Sequence, residues 1–189
     1  MISIANRFAG QVPRGEFHLL GEGRSAWAYR VGSTHQAVKI FFPSFAHLAK
    51  EEASVYQVLQ GSPYYPALYQ VGADYLVMDY IEGITLFECL CRGILITKEH
   101  ILEVDKALED ARERGLNPSD IHLRNILVTT EGKIKLIDVA RFRQTKNCPQ
   151  WEDLKRAFYR FYQMPYFPKK IPPFILNLTA ALYKRKFLR

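Results

Sequence analysis

The sequence predicts an α+β fold of two lobes, with a small antiparallel sheet in the N-terminal lobe and a reduced, helical C-terminal lobe. Glycine-punctuated extended segments dominate up to residue 80, and helical periodicity dominates after residue 97. A chain of 189 residues suits two lobes around one cleft better than two independent domains. We therefore expect a single domain, with lobes at about 1–80 and 84–189 and a hinge at about 79–83.

The N-terminal lobe is predicted from changes in residue pattern. Residues 15–42 mix apolar and polar side chains between glycines, which favours three short strands. Residues 43–60 change to helical spacing. Apolar runs at 67–71 and 75–80 then predict a pair of strands. The helical stripe in residues 43–60 consists of Phe45, Leu48, Val55 and Leu59.

The C-terminal lobe is predicted to be mainly helical. Residues 97–114 carry apolar side chains on one helical face, with Thr97 at the start and Gly115 just past the end. Two short strands follow. Residues 151–163 and 172–186 then have the spacing of amphipathic helices, separated by a proline-rich connection.

Composition narrows the class of protein. The hydrophobic fraction is 48%. The three cysteines form no C-x-x-C pair, so neither disulfides nor a zinc site is indicated. A reduced, cytoplasmic environment is expected. No stretch approaches the ~20 apolar residues of a transmembrane helix. The formal charge is +7, and the basic tail 183–189 predicts a solvated helix end, a contact with RNA or a ribonucleoprotein, or an interfacial membrane helix.

The stretch from Asp120 to Asp138 is the most informative part of the chain. Two five-residue strands flank a Glu-Gly turn at 131–132, and a two-residue loop there would place Asn125 directly opposite Asp138. Asp120 lies on the loop that leads into the same end. Carboxylate and amide oxygens suit magnesium, which keeps phosphate oxygens among its ligands. Isolated aspartates more often cap turns or end strands, so this magnesium-phosphate site depends on the upstream features.

The first upstream feature is a predicted ion pair. Lys39 lies within an apolar strand, where a cation is poorly solvated unless it meets an anion. Glu52 falls on the apolar stripe of residues 43–60 and points inward, whereas Glu51 points about 100° away. We therefore expect Lys39 to pair with Glu52 and not with Glu51. The alternative is a glutamate tolerated at the edge of the stripe.

Two further segments fit a nucleotide-binding cleft. The small residues Gly21, Gly23 and Ser25 lie in a strand-turn-strand segment, where backbone amides could approach phosphate oxygens closely. Residues 76–83 form an apolar strand that runs into a polar bend, where backbone groups could meet a flat base. Each segment is weak evidence alone, but all of them occur in the order that a nucleotide cleft requires.

Taken together, these segments resemble the protein-kinase signature set, which combines a glycine-rich loop, a strand lysine, a helix glutamate, a catalytic loop and a later metal-binding aspartate. The likeness covers about residues 21–142. Asp120 and Asn125 keep the D-x-x-x-x-N spacing, and Asp138 stands where the D-F-G element belongs. The chain is similar to a minimal bacterial-type serine/threonine kinase, and the resemblance implies a protein-kinase-like fold with ATP and Mg²⁺ as cofactors.

The resemblance also implies a role for each site residue. Lys39 would bind the α- and β-phosphates while paired with Glu52. Asp120 would orient or deprotonate the acceptor hydroxyl, and Asn125 and Asp138 would hold magnesium. The remaining nucleotide-binding positions are Gly21, Gly23 and Ser25 in the glycine-rich loop, with Asp79 and Ile81 offering backbone groups to adenine.

Departures from the signature leave the acceptor open. Pro118 and Ser119 replace the His-Arg that precedes the catalytic aspartate, and Ala26 replaces the third glycine. His122 is similar to aminoglycoside phosphotransferases, whereas the sequence around Asp138 and the short C-terminal lobe are similar to RIO-type atypical kinases. No A-P-E element follows, so regulation by an activation loop is not expected. A protein kinase, a small-molecule kinase and a catalytically silent ATP-binding switch all remain possible.

Overall fold

The computed structural model describes residues 17–187, apart from the side chains of residues 184–187. The start of the first extended segment, at residues 15 and 16, and the basic side chains predicted at the C-terminal end lie outside the described part. The predicted elements occur in the predicted order, with most strands in the N-terminal half and most helices after it.

The N-terminal half is built on a five-stranded antiparallel sheet. Its strands are Phe17–Glu22 (β1), Ala26–Val31 (β2), Gln36–Phe41 (β3), Leu68–Val71 (β4) and Tyr75–Asp79 (β5). They are arranged in the order β1-β2-β3-β5-β4. The three strands predicted in residues 15–42 and the strand pair predicted in residues 67–80 are confirmed.

A helix crosses this sheet between β3 and β4. Residues Pro43–Phe45 form a short 3-10 turn, and the α-helix His47–Val58 (α1) follows. Proline at the start suits this position because its missing N–H would be unpaired there. The buried face of α1 comprises Ala49, Glu52, Ala53, Val55 and Tyr56. The helix predicted in residues 43–60 is therefore confirmed, with Glu52 on its inner face.

The chain then enters a short strand and a helix that the sequence analysis does not assign. Strand Gly83–Thr85 (β6) leads directly into the helix Leu86–Arg92 (α2). The Thr85 hydroxyl accepts from the Glu88 N–H, and the Glu88 carboxylate accepts from the Thr85 N–H, which is a capping box. Gly93 ends the helix at φ 76°. The T-x-x-E spacing and this glycine are signals that could have predicted α2.

The long helix Lys98–Glu113 (α3) is confirmed as predicted. Thr97 caps its first turn, and the ring of His100 accepts from the Thr97 N–H. Gly115 follows the helix with φ 79°, a conformation that favours glycine. The buried face of α3 packs into the main core through Ile101, Val104, Ala107, Leu108 and Ala111.

The hairpin after α3 joins Ile126–Thr129 (β7) and Ile134–Leu136 (β8), and β6 pairs with β7 to complete a three-stranded sheet. Its register differs from the predicted one by a residue, because the loop holds residues 130–132 instead of two residues. Gly132 has φ 75° and donates its N–H to the Thr129 carbonyl at 2.9 Å. A turn followed by a left-handed residue is the usual geometry of a three-residue hairpin loop.

This register corrects the predicted pairing at the open end of the hairpin. The Ile137 N–H donates to the Asn125 carbonyl at 2.9 Å, so Asn125 lies opposite Ile137. The prediction that it lies directly opposite Asp138 is wrong. Asp138 is the next residue along the chain, so both predicted ligands remain at the same end of the hairpin.

Two further helices lie in residues 150–187. Helix Gln150–Ala157 (α4) continues into a π-helical turn at Phe158–Tyr162, and the helix Pro173–Phe187 (α5) follows a proline-rich connection. Both predicted amphipathic segments are therefore helical. Within the described residues, no helix is long and apolar enough to cross a bilayer.

One main core holds the two parts of the molecule together. It includes Phe41, Tyr56 and Leu76 from the N-terminal half, and Leu108 and Phe142 from the C-terminal half. A second, smaller core lies on the other face of the five-stranded sheet, around Val38, Ile40 and Val77. Since side chains alternate along a strand, Lys39 faces the main core and α1.

Candidate active site

Lys39 is the centre of the charged cluster in the cleft. Its Nζ donates to both carboxylate oxygens of Glu52, at 2.9 and 2.7 Å, and to Oδ1 of Asp138, at 2.8 Å. Strand β3 supplies the lysine and the inner face of α1 supplies the glutamate. The predicted pairing of Lys39 with Glu52 is confirmed, while Glu51 lies on the exposed side of the helix.

Burial differs sharply among the three partners. The Glu52 side chain is 0% exposed and that of Lys39 is 17% exposed, whereas the Asp138 side chain is 51% exposed. Glu52 is thus an internal anion, and Asp138 is the most exposed member of the cluster. A buried carboxylate without a cation would be strongly unfavourable, so Lys39 and Glu52 stabilise each other's charged forms.

The electrostatics of the cluster keep Lys39 protonated and Asp138 ionised. Burial alone would lower the pKa of Lys39, but the adjacent carboxylates of Glu52 and Asp138 outweigh it and raise that pKa. Burial acts to raise the pKa of Asp138, but the charge and hydrogen bond of Lys39 lower it overall, with His122 and Arg141 adding to the effect.

Asp138 has an unusual backbone that is fixed by a neighbour in α1. Its φ is 61°, a left-handed conformation that aspartate tolerates better than most residues. The Asp138 N–H donates to the hydroxyl of Tyr56 at 3.3 Å. Tyr56 lies one helical turn after Glu52, and burial raises the pKa of its phenol well above the usual value. The phenol therefore stays neutral.

Asp120 shares this backbone conformation. With φ 62°, it and Asp138 are the two non-glycine residues with positive φ in the part of the chain that the structure describes. The preceding Ser119 is 1% exposed and donates to the Asn117 carbonyl at 2.9 Å, so the altered residues before Asp120 pack inside the loop. The Asp120 carboxylate is 30% exposed and lies 3.5 Å from Nε of Arg141.

Asn125 connects the two aspartates. Its Nδ2 donates to the Asp120 carbonyl at 3.2 Å, and its own carbonyl accepts from the residue before Asp138. The side chain is 6% exposed. Because the amide nitrogen is directed at Asp120, the amide oxygen is the group left for a ligand. An amide oxygen beside a carboxylate is a donor set that fits magnesium.

The glycine-rich segment forms the turn between β1 and β2. Gly23 donates its N–H to the Ala26 carbonyl at 2.8 Å, and Ser25 accepts from Phe42 through its carbonyl. A Cβ placed on Gly21 would meet nothing within 4 Å. Internal packing therefore does not require glycine at position 21, and the space above it is open.

The predicted hinge leaves fewer backbone groups for a base than the sequence suggests. The Asp79 N–H donates to the Ala67 carbonyl at 3.0 Å, so its carbonyl is the backbone group left for a ligand. The Asp79 carboxylate accepts from the N–H of Ala67 and from the hydroxyl of Tyr69. Ile81 follows β5 and is half-buried.

Two residues contact the site although the sequence motifs do not predict a role for them. Tyr56 supports the backbone of Asp138, and Arg141 lies beside the carboxylate of Asp120. The position of Tyr56 one turn after Glu52 on the same stripe is a signal that could have found it. Arg141 could be suspected from its place three residues after Asp138, although nothing in the sequence says which carboxylate it meets.

Comparison with known proteins identifies related chains. The chain matches no protein-family model. It is 48% identical over 176 residues to "Putative serine/threonine-protein kinase YrzF" of Bacillus subtilis, covering 92% of this chain and 82% of that protein. It is 32% identical over 108 residues to "Probable serine/threonine-protein kinase SCO3848" of Streptomyces coelicolor, where the match covers 51% of this chain and 16% of the larger protein.

A solved structure shares the fold. The kinase domain of Mycobacterium tuberculosis PknI superposes with a TM-score of 0.54 at 20% sequence identity. The match covers 70% of this chain and 62% of that domain. The similarity supports the two-lobed α+β architecture.

Proposed function

The chain belongs to the protein-kinase-like superfamily, and we propose that it is an ATP- and magnesium-dependent phosphotransferase. Its proposed acceptors are serine or threonine hydroxyls of a protein. The observation that carries the proposal is the three-way contact of Lys39 with buried Glu52 and half-exposed Asp138. One cation is held by an internal anion while a second, reachable anion lies beside it. That arrangement suits the binding of a phosphate chain together with its metal ion.

The pair of Lys39 and Glu52 would serve to position the nucleotide. Glu52 is fully buried, so it would hold the ammonium group of Lys39 at one point in the cleft. The α- and β-phosphates would then meet a preorganised cation. The open space at Gly21 supports a close approach of backbone amides to the same phosphates. Adenine would meet the carbonyl of Asp79 and the backbone of Ile81.

Asn125 and Asp138 would hold magnesium through their amide and carboxylate oxygens. When bound, the ion would neutralise negative charge on the transferred phosphoryl group. The left-handed backbone at Asp138 supports this role, because strained backbone in a fold is commonly retained at functional sites. The Tyr56 hydroxyl would keep the carboxylate in place through the Asp138 N–H.

Asp120 would act on the acceptor. Its carboxylate would orient the hydroxyl group and take its proton as the hydroxyl oxygen bonds to the γ-phosphorus and ADP departs. Arg141, beside the carboxylate, would hold Asp120 in position between turnovers. The buried Ser119 supports the loop despite the absence of the usual His-Arg pair.

The acceptor is proposed from the relatives of the chain, and the compartment from its cysteines. The names of the relatives favour a protein acceptor over a small hydroxylated molecule. The similarities to RIO-type kinases and aminoglycoside phosphotransferases remain predictions. All three cysteines are free, which supports a reducing, cytoplasmic environment.

Two matched substitutions test the division of labour in the site. We expect Asp120→Asn to bind magnesium-ATP within a few fold of the wild-type affinity while losing roughly 10² to 10⁴ in transfer rate, because a positioned general base contributes that much. This loss corresponds to about 3 to 5 kcal/mol of barrier. Asp138→Asn should lower nucleotide affinity and turnover together. Titration calorimetry with magnesium-ATP and an assay of ADP release measure the two quantities.

The same experiment separates an enzyme from a silent switch. If the wild-type chain binds nucleotide but releases no more ADP than Asp120→Asn with any acceptor, the chain is a nucleotide-binding switch. Equal losses of nucleotide affinity in both variants would instead show that the proposed roles of the two aspartates are wrong.

A further inference from the structure

Charge is divided very unevenly along the chain. Residues 1–149 contain 17 Lys and Arg against 17 Asp and Glu, so they are formally neutral. Residues 150–189, which we call the C-terminal segment, contain nine Lys and Arg against two Asp and Glu. The net +7 of the whole protein therefore lies within this segment, which the proposed phosphotransferase site does not use.

The C-terminal segment also exposes large apolar side chains. Four of them lie on helix α5, with exposed fractions of 69% for Phe174, 42% for Ile175, 57% for Leu178 and 55% for Leu182. At 100° per residue these four fall within an arc of about 100°. We call them the apolar arc. Tyr159, Phe161 and Tyr166, earlier in the same segment, are exposed as well.

Helix α5 is attached to the molecule by its other side. Leu176 packs against the main core, and the Tyr183 hydroxyl donates to the Asp153 carboxylate at 2.8 Å. Arg124 donates to the side-chain oxygen of Asn177 at 2.9 Å. The helix thus has a stripe that is satisfied inside the fold, and the apolar arc points away from it. Internal packing does not account for the arc.

The segment combines apolar and cationic groups, and a partner that covers the arc has to match both properties. A second copy of the chain would bring two segments of net +7 together, which charge repulsion opposes. Single-stranded RNA would match the charge, but it gains its contact energy by stacking bases on aromatic rings, and three of the four arc residues are aliphatic. An anionic lipid surface matches both properties, since aliphatic side chains enter the acyl boundary while lysine and arginine meet the headgroups.

We propose that the C-terminal segment docks the protein on the surface of an anionic phospholipid bilayer through the apolar arc of α5. The helix lies in the interface and does not span it, in keeping with its length of 15 residues. The apolar arc and the site around Lys39 share no residue, so each can be altered without changing the other. The proposal is independent of phosphoryl transfer and stands or falls by its own test.

Flotation of the full chain with lipid vesicles tests the docking. We expect the wild type to float with vesicles of phosphatidylglycerol and phosphatidylethanolamine in equal parts, and not with phosphatidylcholine vesicles. Leu178→Ser with Leu182→Ser should lower partitioning about tenfold or more, because two half-exposed leucines lose their burial in lipid. The control is Leu19→Ser with Leu102→Ser, whose side chains are 58% and 52% exposed elsewhere on the molecule. The control should bind like the wild type.

A second variant keeps the test decisive if serine disturbs the helix, which thermal unfolding monitored by circular dichroism would reveal. Lys184→Glu with Lys186→Glu leaves the arc intact and should still lower partitioning into anionic vesicles by about tenfold or more, since each cation near such a surface contributes about a fivefold gain.

Four results would overturn the proposal. One is an absence of flotation with the anionic vesicles. Another is an equal loss in the arc variant and in the Leu19 and Leu102 control. The third is a wild-type dimer in sedimentation that dissociates in the arc variant, because the arc would then be covered by a second copy. Binding to total RNA that survives in the arc variant, without binding to vesicles, would likewise assign the segment to nucleic acid.

Discussion

The cleft and the C-terminal segment differ in how their charges are arranged. In the cleft, an opposite charge lies within 3.5 Å of each of Lys39, Asp120 and Asp138. The C-terminal segment carries the whole net charge of the protein beside exposed apolar side chains. The cleft charges are paired, and the anion that holds Lys39 is fully buried, so these charges define a geometry. In the C-terminal segment, cations outnumber anions by nine to two, so the segment attracts an anionic surface. We infer that chemistry and docking are carried by separate parts of one chain.

The largest effect on stability is expected at Glu52, in the cleft. Glu52→Gln removes a buried anion from Lys39 and should lower the free energy of unfolding by about 3 kcal/mol, the lower end of the range for breaking a buried pair, because Asp138 still contacts the lysine. Glu51→Gln, on the exposed side of α1, should change it by less than about 0.5 kcal/mol. Urea unfolding of both variants measures the difference.

Turnover should follow the same order. Glu52→Gln should lower turnover roughly a hundredfold, because Lys39 loses the anion that positions it for the phosphates. Such a loss corresponds to about 3 kcal/mol of barrier. Glu51→Gln should retain wild-type turnover. Equal losses, or a larger loss at Glu51, would contradict the assignment of the inward face of α1.

A smaller effect on stability is expected for the two faces of α5. Leu176 packs against the main core, whereas Leu178 is 57% exposed. Leu176→Ala should lower the free energy of unfolding by about 1 to 2 kcal/mol, below the range for fully buried leucines because the site is half-buried. Leu178→Ala should be within about 0.5 kcal/mol of the wild type in the absence of lipid. Similar losses in the two variants would mean that the apolar arc is covered within the fold.

The elements that sequence predicts well are those with a strong local signal. The inward position of Glu52 follows from helical spacing alone, and the lysine that it meets is the cation of a neighbouring apolar strand. The ends of α3 are also predicted by a local signal, because the capping residues Thr97 and Gly115 act within one helical turn.

The register of the hairpin shows where a local signal is insufficient. A Glu-Gly pair fits a two-residue type I′ loop, in which both residues have positive φ, but here Gly132 has positive φ and Glu131 does not. Strand pairing sets the loop at three residues. The contact of Arg141 with Asp120 is equally inaccessible, because it depends on how two loops meet in space. The positive φ values of both aspartates are likewise consequences of the fold around them.

The most direct test of the central claim is the transfer of labelled γ-phosphate from magnesium-ATP to a general protein acceptor such as casein, followed by phosphoamino-acid analysis. We expect label on serine or threonine with the wild-type chain, and at least a hundredfold less with Asp120→Asn at saturating nucleotide. Label that appears only on small alcohols would exclude the protein acceptor. Equal labelling by the wild type and Asp120→Asn, or no transfer by a wild type that binds nucleotide, would contradict the assignment of the cleft as a phosphotransferase site.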